Sequence, residues 1–71
     1  MEVKQLKDWR RRRALSQKEL AVKSGVGQAT IARIETGHGA RPATVRTLAT
    51  ALEISIEQLL GDEEQGQQVA A

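Results

Sequence analysis

Seventy-one residues with a single aromatic side chain, Trp9, make one small domain whose core must be aliphatic and whose stability alone is modest. The absence of cysteine and the presence of one histidine exclude disulfides, thiolate metal sites and a clustered metal centre; no apolar run approaches the ~20 residues of a membrane span, and "MEVKQLKDWR" lacks the apolar stretch of a secretory signal. The net charge of +2 conceals a division, because residues 1–50 carry all eleven lysines and arginines against four acids, whereas residues 51–71 carry five acids and no base.

In chain order, residues 2–13 read as a first helix, with Val3, Leu6, Trp9 and Arg10 spaced to share one face. Ser16 caps a second helix. With Glu19 it forms an S-x-x-E capping box, in which each residue satisfies an orphan backbone N–H of the other. Leu20 and Ala21 supply that helix's inner face, and Gly25 ends it, glycine being the residue that best tolerates the left-handed conformation beyond a helix end. Val26 fills the turn and Gly27 takes the cap of a third helix that runs to about Thr36, with Ile31 and Ile34 inward. "GHGARP" is a loop that delivers Pro42 to the first position of a fourth helix, where its missing N–H costs nothing. Val45, Leu48, Ala49 and Leu52 form the fourth stripe. Ser55 and Gln58 make a second capping box for a short fifth helix with Ile56, Leu59 and Leu60, closed by Gly61. No strand pattern or internal repeat appears. The fold class is all-α, a compact five-helix bundle over residues 1–61, followed at 62–71 by an acidic tail without periodicity that reads as disordered.

Residues 16–36 carry more information than a plain helical hairpin. Ala21 is small where the second helix passes close to the third. Gly25 lets the chain turn within about three residues, which sets the two helices roughly 90–120° apart. Val26, Ile31 and Ile34 hold that angle from inside. Small residue, glycine and β-branched apolar groups in this order are a helix-turn-helix signature. The basic body and acidic end fit a polyanionic partner on one side of the fold, although charge alone favours an ordinary solvated surface.

The segments "LSQKELA", "SGVGQATIARIETG", "RPATVRTLATAL" and "SIEQLLG" together resemble the Cro/C1-type (XRE-like) helix-turn-helix domain of phage repressors and small bacterial regulators, from about Leu6 to Leu60. Two positions depart from the family pattern. Gly27 stands where serine or threonine is usual, which forfeits a side-chain cap worth a few tenths of a kcal/mol. Trp9 stands where an aliphatic residue is usual, so the first helix is open to a different packing. The resemblance implies that Arg10 pairs with Glu35. The physical reading agrees, since an arginine on an apolar face needs a carboxylate. A direct phosphate contact by Arg10 is the secondary reading.

The third helix is expected in the major groove of double-stranded DNA. Gln28, Ala29, Ala32 and Arg33 project away from the core face. Gln28 suits bidentate bonding to adenine, Ala29 a thymine methyl, and Arg33 a guanine or a phosphate; the resemblance implies the same three positions, Gln28, Ala29 and Arg33. Gln17 can hold a phosphate at the start of the second helix through its N–H and side chain. Gly27, Arg41, and more weakly Lys18 and Arg46, complete the candidate phosphate contacts. Of Arg10–Arg13, which point around the helix at about 100° intervals, one can reach phosphate and the others are expected in solvent. His38 reads as a solvated loop tip, and Trp9 as a core or half-buried residue beside Leu6. Neither "GVG" nor "GHG" completes a phosphate-binding glycine loop, and no nucleophile–base–orienter set exists.

The resulting expectation is a cytoplasmic, sequence-specific transcriptional repressor rather than an enzyme. It has no metal, cofactor, membrane partner or evident small-molecule effector, and binds a two-fold operator as a weak homodimer. Ile56, Leu59 and the end of the fourth helix lie nearest the C-terminus, where the family commonly dimerises. The alternative is an antitoxin-like or other protein-interaction module on the same scaffold.

Overall fold

The computed structural model describes residues 1–61, and the tail read at 62–71 lies outside the described residues. Among the described residues all regular structure is helical: α1 Leu6–Arg12, α2 Gln17–Ser24, α3 Gln28–Glu35, α4 Pro42–Leu52 and α5 Ile56–Leu60. Both capping boxes form. The Glu19 N–H donates to Ser16 Oγ at 3.0 Å and the Ser16 N–H to Glu19 Oε1 at 2.8 Å. The Gln58 N–H donates to Ser55 Oγ at 3.1 Å and the Ser55 N–H to Gln58 Oε1 at 2.9 Å. Gly25 turns the chain between α2 and α3 with φ +78°; an added Cβ would meet nothing there, so the dihedral alone requires glycine.

The first helix is shorter than its apolar spacing predicts: it begins at Leu6, not at residue 2. The preceding backbone has partners elsewhere. The Met1 nitrogen donates to the Ala40 carbonyl and the Ala40 N–H returns to the Met1 carbonyl, each at 2.7 Å, while the Gln5 N–H donates to the Leu59 carbonyl at 3.2 Å. Val3 is still buried, reached from this non-helical segment rather than from a helical face.

One continuous aliphatic core joins the helices. Leu6, Leu20, Ile31, Val45, Leu48, Leu52 and Leu59 are fully buried, and each such side chain contributes about 1.5–3 kcal/mol by leaving water. Val45, Leu48, Ala49, Ala51 and Leu52 make α4 the spine, against which α2 and α5 pack, and α2 in turn packs on α3. Ala21 is half-buried and packs against the core, as its small size at the α2–α3 crossing requires. Leu59 is fully enclosed by its own chain, which removes it from any dimer surface; Ile56 is half-buried. Trp9 is also half-buried against the core, and its Nε1–H donates to the Gln58 carbonyl at 3.2 Å, which satisfies the polar end of the indole.

Two turns are made by residues that sequence alone does not mark. Ala14 and Glu53 have φ +57° and +59°. After α1, the Ala14 N–H bonds the Arg11 carbonyl at 3.0 Å and the Leu15 N–H the Arg10 carbonyl at 3.1 Å, a Schellman closure without its usual glycine. The left-handed region costs an L-residue roughly 1–2 kcal/mol. Ala14→Gly relieves that cost and gives back part of it through a more flexible unfolded chain, so a net gain of about 0.5 kcal/mol is expected. A urea midpoint that falls in this variant contradicts the strain.

Candidate DNA-binding face

The face is built on α3. Ile31 and Ile34 fix its inner side in the core, and Gln28, Ala29, Thr30 and Arg33 are exposed. Ala32, expected to face away, is half-buried, which narrows the outward surface to Gln28, Ala29 and Arg33, with Thr30 as an addition. The N-cap Gly27 has extended backbone and supplies no side-chain cap, leaving the first N–H groups of α3 without intrahelical acceptors.

The other end of α3 is held by a buried ion pair. Arg10 Nε donates to Glu35 Oε2 at 2.7 Å and its NH2 group to Oε1 at 3.2 Å. The remaining guanidinium nitrogen donates to the Leu15 carbonyl at 2.7 Å, and Gln17 Nε2 to Glu35 Oε1 at 3.1 Å. The side chains of Arg10 and Glu35 are 12% and 4% exposed. Burial pushes the Glu35 carboxyl up, but hydrogen bonds from Arg10 and Gln17 and the nearby charges of Arg10 and Lys7 outweigh it and hold the group below its ordinary value. The fork-shaped contact thus ties α1, the start of α2 and the last residue of α3 into one unit.

This arrangement redistributes several predicted roles. All three nitrogens of the Arg10 guanidinium are engaged within the chain, by Glu35 and the Leu15 carbonyl. The Gln17 side chain is committed to Glu35, so the N–H at the start of α2 is what remains for a phosphate. Arg13 is exposed, as expected, yet its side chain is engaged: its Nε donates to the Leu52 carbonyl at 2.8 Å, capping the C-terminus of α4. Arg12 pairs with Asp8 at 3.0 Å and lies over the Trp9 ring at 4.7 Å. Of that basic run, Arg11 is the uncommitted member: its side chain makes no hydrogen bond or ion pair among the described residues, and it borders a shallow groove with Lys4 and Lys7. The Gln17 and Arg13 contacts have no signature in spacing, since both depend on how helices distant in sequence meet.

Arg41 occupies the N-cap position of α4 in extended backbone, and the loop before it is pinned by the Met1–Ala40 pairing. Arg46 borders a groove between α2 and α4 with Lys23 and Ser24. Among the described residues, the charged groups of Lys18, Arg33, Arg41 and Arg46 make no hydrogen bond or ion pair, and all four residues are exposed.

Comparison with known proteins agrees with this arrangement. The profile of the helix-turn-helix family matches residues 6–59, from the first residue of α1 into α5. The chain belongs to the Cro/C1-type helix-turn-helix family. Its α2 and α3 are the helix-turn-helix pair, and residues 6–59 form a helix-turn-helix domain of the kind found in DNA-binding regulators. It is similar to two proteins of Bacillus subtilis (strain 168). One is the uncharacterised HTH-type transcriptional regulator RghRB, 43% identical over 58 residues that cover 79% of this chain and 42% of that protein. The other is the HTH-type transcriptional repressor RghR, 45% identical over 58 residues that cover 79% of this chain and 43% of that protein. The chain therefore spans less than half the length of these relatives.

Proposed function

We propose that this chain reads the sequence of double-stranded DNA as part of transcriptional repression, acting in the cytoplasm as a weak homodimer on a two-fold operator with α3 in the major groove. The observation that carries the reading is the split character of α3. One side is fixed by Ile31, Ile34 and the Arg10–Glu35 pair, and the other presents Gln28, Ala29 and Arg33 beside cations that have no intramolecular partner among the described residues. A rigid helix offering a bidentate amide, a methyl and a guanidinium has the groups that base edges require. The Gln17 and Gly27 backbone N–H groups, with Lys18, Arg41 and Arg46, supply the phosphate contacts that set its register. The similarity to the repressor RghR supports repression over activation. No helix among the described residues is long and apolar enough to cross a membrane.

One protomer inserts one helix, and half-sites about 34 Å apart call for two. Ile54, Ile56 and Leu60 are half-buried, a small apolar remainder for self-association, so DNA rather than the protein interface is expected to complete the dimer. The test is selection of duplexes from random sequence, followed by sedimentation. Protein alone should be monomeric at low micromolar concentration, and two protomers should occupy a selected palindrome. Binding should weaken steeply with salt, in proportion to the phosphates engaged. Failure to enrich any sequence, with binding to a protein instead, would replace this reading with the protein-interaction alternative.

A further inference from the structure

Given the DNA-reading role proposed above, we infer that His38 is a proton-dependent contact to a phosphodiester oxygen of the duplex backbone. His38 is exposed in the loop between α3 and α4, three residues before Arg41. Its Nδ1 lies 3.1 Å from the Arg33 carbonyl oxygen and 3.4 Å from Thr36 Oγ1. A carbonyl can only accept, so Nδ1 carries the hydrogen. The threonine agrees with this: its hydroxyl donates to the same Arg33 carbonyl at 2.8 Å, which leaves its oxygen as an acceptor toward the ring.

These contacts favour the tautomer with the hydrogen on Nδ1. In the neutral ring Nε2 is then an unprotonated acceptor, and among the described residues it has no partner. A phosphate oxygen is also an acceptor and cannot bond to it. Adding a proton changes both features at once: Nε2 becomes a donor and the ring becomes a cation. Imidazole makes this change between pH 5 and 8. Contact with phosphate therefore takes up a proton, and by reciprocity a proton strengthens the contact.

Other charges surround the loop. Arg33 of α3 and Arg41 of the same loop are cationic. In the N-terminal segment, the Met1 amino group is held 2.7 Å from the Ala40 carbonyl, and Glu2 and Lys4, themselves 3.9 Å apart, border a groove with Thr36 and Gly37. The Met1 amino group is a second ionisable group near the loop, so the discriminating comparison is between proteins that differ at the imidazole alone.

The experiment measures affinity for a duplex selected with the full chain, from pH 6 to pH 8 at constant salt. Wild-type affinity should fall several-fold per half-site, and the slope should approach tenfold per pH unit at most, the limit for one proton. His38→Gln should remove that slope, and His38→Arg should bind tightly with no slope and a steeper salt dependence. As the sole histidine, His38 also gives one resolvable ring Cε1–H signal, whose titration midpoint should rise when DNA is bound. Specific binding with the same pH profile in wild type and His38→Gln, or a midpoint indifferent to DNA, overturns the proton-dependent contact and leaves DNA reading intact. Absence of sequence-selective binding at every pH overturns both.

Discussion

Glu35→Ala is expected to lower the stability of this domain by about 3–5 kcal/mol, the penalty for stranding one member of a buried ion pair. The size follows from what the substitution leaves behind. Arg10 stays charged in a site where its side chain is 12% exposed, and it loses two of its three hydrogen bonds, keeping the one to the Leu15 carbonyl. The Gln17 amide loses its acceptor as well. A domain of this size is stable by only about 5 kcal/mol or slightly more, so the variant should keep about 0–2 kcal/mol and have a substantial unfolded fraction. Urea denaturation reads the loss directly, and an unchanged midpoint would remove the pair from the account. Exchanging both partners for apolar residues of similar volume, Arg10→Met with Glu35→Leu, should restore most of the stability, because no buried charge is left alone.

The same pair sets an acid limb. The folded Glu35 carboxyl lies below its ordinary value, so its contribution is fully present above the unfolded pKa and is lost as pH falls through the folded one. Stability should decline below about pH 4–5. Glu19 titrates in the same direction, its carboxyl lowered by the backbone N–H and hydroxyl of Ser16 in the capping box. The double apolar variant keeps Glu19 and should retain only the shallower part of the limb. An identical acid profile in both proteins would place the sensitivity elsewhere.

Local chemistry made most of the fold legible. The capping serines, Gly25, Gly61 and Pro42 act within a few residues of themselves, so their effects can be read without knowing what lies opposite. The aliphatic stripes of α3 and α4 are strong because each helix has a single buried side. Residues 1–5 misled because Val3 has the right spacing for a helical face, yet backbone pairing with Ala40 and Leu59 holds that segment open. Local pattern cannot reveal pairing between residues nearly forty apart. Arg13 illustrates the same limit: a surface arginine by composition, it caps a helix that begins about thirty residues later. At the candidate site, the outward positions of α3 followed from helical projection, whereas the capture of the Gln17 side chain by Glu35 required the packed arrangement of α1, α2 and α3.

Gln28→Ala is expected to cost about 1–3 kcal/mol of discrimination at one base pair per half-site, the value of a good bidentate contact, while affinity for random DNA hardly changes. Gln28 is exposed at the first turn of α3 and bonds nothing among the described residues, so its removal opens no cavity and strands no partner there. Stability should stay within about 0.5 kcal/mol of wild type, as for other exposed substitutions. Arg41→Ala makes the opposite expectation. Its guanidinium lies outside α3, the proposed reading helix, so its loss should weaken all sequences alike and reduce the salt slope by about 1, one phosphate contact and its released counterion. Arg33→Ala separates two roles for one side chain: lost discrimination places it on a guanine, and a reduced salt slope with specificity intact places it on a phosphate. Competition binding with a selected duplex against single-base variants, repeated at several salt concentrations, measures all three substitutions. If Gln28→Ala and Arg33→Ala both leave affinity and selectivity unchanged, α3 is not the reading helix, since no other outward group on its first turn can form a bidentate amide contact.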